Sequence, residues 1–274
     1  MSTVEELKPI PVALGGTRGG PKVRTLRPKG WGTEKWVTFS ILTAFVVYTT
    51  WAAIQGADFY VGAAQHRDLI SPFYSPCITQ TCISGGGGGL VLHWWTVSPA
   101  LLILIVPGGF RLTCYYYRKA YYRSFWQSPP ACAVADGHAR YTGETRFPLV
   151  LQNVHRYFWM LALIFNVILT IDAVMAFRMP GAGGIGVSVA SLVLTANAIL
   201  LWTYSLGCHF CRHACGGHVN TFSEHKIKHR LWKLVTPLNA RHMQLAWASL
   251  IMVALTDGYV RLVASHIISD PKLF

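Results

Sequence analysis

Three cysteines and two histidines fall within the eleven residues GCHFCRHACGG, 207–217, directly after a run that is almost entirely apolar. Thiolate and imidazole at that density are ligands for iron–sulfur clusters and zinc. Cys208-x2-Cys211, thirteen residues, then His225-x3-His229 matches the spacing of a C2H2 zinc finger. A finger also needs hydrophobic residues between its ligand pairs. The interval RHACGGHVNTFSE offers little beyond Val219 and Phe222, and the end of an apolar helix leaves no room for a preceding strand. His225 and His229 read instead as solvated members of the basic stretch HKIKHR.

The elements that must position these ligands are membrane helices. Of 274 residues, 52% are hydrophobic and 13% charged, against about 25% charged in a soluble domain. Five segments reach the roughly 20 apolar residues a bilayer needs: Trp36–Ile54, Leu90–Leu112, Leu149–Phe177, Ile185–Gly207 and Met243–Ala264. The second holds Pro99 and Pro107, which predict a kink. The third opens on a polar turn, Gln152, Asn153, His155 and Arg156, and the fourth carries Ser188, Ser191, Thr195 and Asn197, suited to close helix packing. The fold class is an all-α integral membrane protein. It divides into an irregular arm 1–35, a five-helix bundle 36–265 and a short outer tail 266–274.

Charge orients the bundle. Of the Lys and Arg residues, seven precede the first helix, six lie in 111–147 and six in 207–241. The alternate segments hold only Arg67, Arg178, Arg261 and Lys272, with Arg156 inside a helix. The positive-inside rule places the N-terminus in the cytoplasm and the C-terminus outside. The net charge of +13 therefore belongs to cytoplasmic loops and not to a nucleic-acid surface. GGGGG at 85–89 follows no strand and reads as an outer connection. Transport would want acidic or histidine residues along the middle of the helices, whereas Asp172 and Asp257 both lie toward outer ends.

Topology then sorts the seven cysteines. Cys77 and Cys82 fall in the outer loop, where a short disulfide persists. Cys114, Cys132, Cys208, Cys211 and Cys215 face the reducing side, where grouped cysteines hold metal or do redox work. Cys114 ends the second helix, His155 begins the third, Cys208 and Cys211 end the fourth, and His242 begins the fifth. All lie near the cytoplasmic face, on facing helices of the kind that build cofactor sites. Two ligand sets stand open: Cys208 with Cys211, or Cys114 with one of them. Cys132 is a further candidate and Cys215 a spectator. A quinone would find donors near that surface in Tyr115, Tyr116, Tyr117, Arg118, Trp126, Arg156, Tyr157 and His213. The competing reading for these is an aromatic belt with lipid-facing arginines. The basic loops 111–147 and 207–241 suit docking of a partner subunit.

The stretches RLTCYYYRKAYYRSFW, SPPAC, GETRFPLVLQNVHRYFW, GCHFCRH with ACGG, and LNARHMQLAW spread over residues 110–250. With them the chain resembles the single-subunit, five-helix membrane anchor of actinobacterial succinate dehydrogenase, respiratory complex II. The resemblance implies a flavoprotein subunit and an iron–sulfur subunit as partners, a bacterial plasma membrane location, and delivery of electrons to a quinone, menaquinone in such bacteria. It also implies haem b held by paired histidines, for which His155 and His242 stand in place. The cysteines depart from that pattern, because a bis-histidine haem has no use for thiolates at the same depth. Two Cys and two His are instead the ligand set of a Rieske-type 2Fe-2S centre, here without the two-loop Rieske sequence. Such a cluster ranks first, haem b second and zinc third. An anchor without any cofactor is the further rival.

Overall fold

The computed structural model describes residues 31–62, 68–76, 90–92, 95–127, 149–179 and 184–273. The arm up to residue 30, the Gly85–Gly89 run, Cys77, Cys82 and Cys132 lie outside them, and so does the expected 77–82 disulfide. The described chain is mostly helical, and four of its helices are long and apolar enough to cross a membrane.

α1 (Trp31–Gln55) is apolar on all sides and hardly buried, with Trp36, Val46, Val47 and Trp51 outward. A helix hydrophobic all round belongs in lipid or a core, and the rest of the described chain leaves most of α1 uncovered. α5 (His155–Met175), α6 (Val189–Leu206) and α9 (His242–Ala264) are the other three. α6 packs against both α5 and α9 and so forms the middle of the bundle. Ser188 and Ser191 close a reciprocal capping box at its start, and both are fully buried, as is Asn197 further along. Thr195 bonds back to the Ser191 carbonyl at 2.7 Å.

The second expected span differs. Leu90–Leu92 (β3) and Trp95–Val97 (β4) form a hairpin. Helix starts only at α2 (Pro99–Ile103), with Pro99 in its first turn, and breaks at Leu104 before α3 (Ile105–Leu112). Pro107 has no N–H to return to the Ile103 carbonyl, which explains a break just there. Residues 99–112 would cover roughly 21 Å as helix, short of the about 30 Å hydrocarbon core. The expected single helix Leu90–Leu112 is therefore a hairpin and two short helices. α4 (Tyr115–Ser124) continues the chain where a loop was expected.

The third expected span splits as its polar opening suggested. A 3-10 turn over Leu149–Val154 delivers the chain to α5. The stretch after α6 is also more ordered than a basic loop. It contains α7 (His209–Arg212), a π-helical turn over His213–Gly217, and α8 (Lys226–Ala240). Short strand pairs β1 (Tyr60–Val61) with β2 (Leu69–Ile70), and β5 (Arg178–Met179) with β6 (Gly184–Ile185), join helices at the end opposite α7 and α8.

At that opposite end Asp257 is fully buried. Tyr48 donates to its carboxylate at 2.6 Å, the Ser71 hydroxyl donates to its other oxygen, and Arg261 pairs with it at 2.8 Å. Arg261 also donates to Gln55 and to the Ala52 and Ala57 carbonyls, each at 2.8 Å. One ion pair thus ties α9 to α1 and to the connection after it. Asp172 is likewise engaged, by the Ser75 hydroxyl. Neither carboxylate lines a polar track along mid-helix.

Candidate metal centre

The four ligand candidates sit at ends and breaks of helices. Cys114 is the extended residue between α3 and α4, and Cys208 is the extended residue between α6 and α7. His155 and His242 are the first residues of α5 and α9. Helix ends expose unsatisfied backbone groups and let a side chain turn away from the helix axis, which suits a converging site. The side chains meet as two thiol–imidazole pairs. His155 Nε2 is 3.1 Å from Cys208 Sγ, and His242 Nε2 is 3.4 Å from Cys114 Sγ. Cys114, Cys208 and Tyr204 share one buried cluster with Phe110, Tyr117 and Ala246.

Aromatic rings hold the imidazoles flat. Phe110 stacks on His155 with centroids 5.1 Å apart, and Tyr204 stacks on His242 at 5.0 Å. Phe110 and Tyr204 themselves touch at 5.3 Å, so one wall serves both pairs. Thr113 Oγ1 lies 2.9 Å from His155 Nδ1 and fixes that ring from behind. Among the described residues His242 Nδ1 is buried without a hydrogen-bond partner, and so is the Tyr204 hydroxyl. A buried polar atom left unpaired costs about 1–3 kcal/mol, and a metal on an imidazole nitrogen removes that cost.

Close approach needs two glycines. A Cβ on Gly109 would stand 2.4 Å from the Phe158 ring of α5, so α3 reaches α5 only because the position is bare. A Cβ on Gly207 would meet the Leu238 and Thr203 carbonyls at 3.0 Å and His242 Nδ1 at 3.3 Å. Gly109→Ala is expected to cost about 1–3 kcal/mol through overpacking. The measurement is the thermal dissociation midpoint of the purified protein, and an unchanged midpoint would show that Phe158 moves aside freely.

Arg111 supplies a half-buried positive charge beside the pairs. Its guanidinium donates to the Tyr117 hydroxyl at 2.6 Å and to Ser249 at 3.2 Å, and lies over the Tyr204 ring at 4.9 Å. Tyr117 passes its own proton to the Ala246 carbonyl at 2.7 Å. Burial, reinforced by Cys114, pushes the Cys208 thiol up to about 12, against relief from the Phe210 and Cys211 backbone N–H groups. Without a cation this thiol is protonated at neutral pH, and ligation has to expel the proton.

Among the remaining sequence candidates, Cys211 turns to Cys215 at 4.0 Å and not to an imidazole. Burial and the Cys215 sulfur push it up to about 12 as well. Helix α6 ends at Gly207, so Cys208 stands extended between α6 and α7 while Cys211 lies within α7. His229 stacks on Phe222 at 4.8 Å, so the zinc-finger grouping is not assembled. Of the quinone candidates, Tyr117 borders the pairs. Arg118 lies over Tyr115 at 4.9 Å, Trp126 packs on Tyr121 and Tyr122, and Arg156 donates to Tyr157 at 2.8 Å. His213 faces His218 at 5.7 Å. Among the described residues no three His, Cys, Asp or Glu side chains group around one point. The sequence reading missed Thr113, Phe110, Tyr204 and Arg111, and only Thr113, adjacent to Cys114, carried a local signal. A separate cleft between α1 and α4 is lined by Glu34, Lys35, Thr38, Tyr116, Lys119, Arg123 and Met243.

The comparisons agree on kind. The family model described as actinobacterial succinate dehydrogenase subunit SdhC matches residues 33–266. A chain of the Mycobacterium smegmatis Sdh1 complex in the apo form superposes with a TM-score of 0.83 at 45% identity, over 95% of this chain and 97% of that one. No curated protein matches. A match over most of the length, with helices and apolar composition to agree, leaves one conclusion: the chain belongs to the actinobacterial succinate dehydrogenase SdhC family and is a multi-pass membrane anchor of the bacterial plasma membrane.

Proposed function

We propose that this anchor passes electrons from the iron–sulfur subunit of succinate dehydrogenase to a membrane quinone by way of a Rieske-type 2Fe-2S centre of its own. The succinate chemistry belongs to the flavoprotein partner. The observation that carries the reading is the pairing of Cys208 with His155 and Cys114 with His242 at 3.1 and 3.4 Å. The donor types are those of such a group, two thiols and two imidazoles, standing as two separate pairs, with His242 Nδ1 buried and unpartnered among the described residues. Cys114, Cys208, His155 and His242 would hold it; Cys211 drops out of the set, because it faces Cys215. When bound, a cluster of this type accepts and releases one electron, at a higher potential than an all-thiolate cluster.

The chain's own part is positional and electrostatic. Phe110 and Tyr204 hold the two rings flat, Thr113 sets the tautomer of His155, and the aromatic wall keeps water away. Arg111 offsets anionic charge next to the thiols and favours an added electron. Quinone reduction needs donors for the ring oxygens near this wall. Tyr117 and the nearby Tyr116, which accepts a hydrogen bond from Trp247, favour the α4 side. On the same reading α2, α3 and α4 together with the β3–β4 hairpin make a broken fifth crossing, with the N-terminus in the cytoplasm. Haem b is the second reading. Each imidazole there is taken up by a thiol and an aromatic face, and this favours the cluster.

The test is the iron, acid-labile sulfide and haem content of the purified complex, combined with EPR of the reduced anchor. Sulfide beyond that of the iron–sulfur subunit, with a rhombic mixed-ligand signal, is expected. A Soret band without such sulfide overturns the assignment.

A further inference from the structure

We propose that α8 is an interfacial helix that seats on the inner leaflet and binds anionic phospholipid. Its fifteen residues divide into three faces when placed at about 100° per residue. One face packs on the protein: Val235 is 5% exposed, Trp232 lies under the Arg212 guanidinium at 4.4 Å, and Thr236 accepts from Arg212 at 3.2 Å. The second is an apolar stripe of Ile227, Leu231 and Leu234, which are 75%, 44% and 70% exposed. The third carries Lys226, Arg230 and Lys233, all exposed. From residue 225 to 241 there is no carboxylate.

The placement of the helix supplies its occupant. Asn239 donates to the Gly207 carbonyl at 2.9 Å, where α6 ends, and only Arg241 separates α8 from α9. The C-terminal end of α8 is therefore held at the depth where two spans leave the bilayer. A basic helix with one apolar stripe, tethered there, has the composition of a helix lying in the headgroup region. Lys and Arg close to that surface are attracted by anionic lipid. A protein interface would favour aromatic residues and few lysines, whereas here the aromatic Trp232 turns inward.

The experiment uses the intact complex in nanodiscs, either pure phosphatidylcholine or phosphatidylcholine with phosphatidylglycerol. Hydrogen exchange over 226–238 is expected to slow severalfold in the anionic discs, while α9 exchange stays the same. The triple variant Lys226→Gln, Arg230→Gln, Lys233→Gln is expected to lose that difference. In a second measurement the Leu231→p-benzoylphenylalanine variant is irradiated in native membranes, and the adduct is expected on phospholipid. An adduct on the iron–sulfur subunit, or equal exchange in both discs, overturns the proposal.

Discussion

Replacing Cys208 or Cys114 with serine is expected to remove the anchor's share of iron and sulfide and to lower quinone reduction by more than about 100-fold, since even outer partners of a metal site cost 10–100-fold. Serine keeps the size of the side chain but does not ionise under conditions where a ligated thiol does, so packing is preserved while ligation is lost. Cys211→Ser is expected to leave iron, sulfide and quinone reduction as they are, because its sulfur lies against Cys215 and not against an imidazole. Electron transfer from succinate to a soluble dye, which bypasses the anchor, is expected to persist in all three. Equal loss in Cys211→Ser would return the ligand set to adjacent thiols of one loop. Full quinone reduction in Cys208→Ser and Cys114→Ser would leave the anchor without a centre of this kind.

The second large effect lies about 22 Å further along α9, at fifteen residues from His242. Asp257→Ala is expected to destabilise the anchor by about 3–5 kcal/mol, because it leaves the buried Arg261 charge uncompensated. Tyr48 and Ser71 lose their acceptor in the same step. Removing both charges with Asp257→Leu and Arg261→Met is expected to cost much less, as an apolar pair can replace a buried ion pair. The readout is the thermal dissociation midpoint of the complex, with quinone reduction per iron as a control that is expected to hold. If the double variant falls as far as the single one, the pair is not what joins α9 to α1.

Much of this architecture was legible from composition. α1, α5, α6 and α9 each present a predominantly apolar run of 18 residues or more, and burial in lipid leaves such runs few alternatives. The kink expected from the prolines is a break at Leu104, but the hairpin over 90–97 was missed because hydropathy counts apolar residues without regard to backbone. Pro107 and the strand-forming pairs around Trp95 break the helix without lowering its hydrophobicity. α8 was misread for the opposite reason: its Lys and His content masked the spacing of Ile227, Leu231 and Leu234. For the proposed centre, depth alone grouped Cys114, His155, Cys208, Cys211 and His242. What depth could not decide was which thiols turn inward. Gly207 decides it by ending α6 one residue before Cys208, and Cys211 is carried round with α7.

In the proposed centre, the wide separation of the four ligands along the chain has a consequence for biogenesis. Cys114 and His242 are 128 positions apart, and they meet only across α4 and α9. If the proposed centre forms, a nascent chain halted before its last span would offer no complete nest for iron and sulfide, and delivery of the cluster would have to follow insertion of α9.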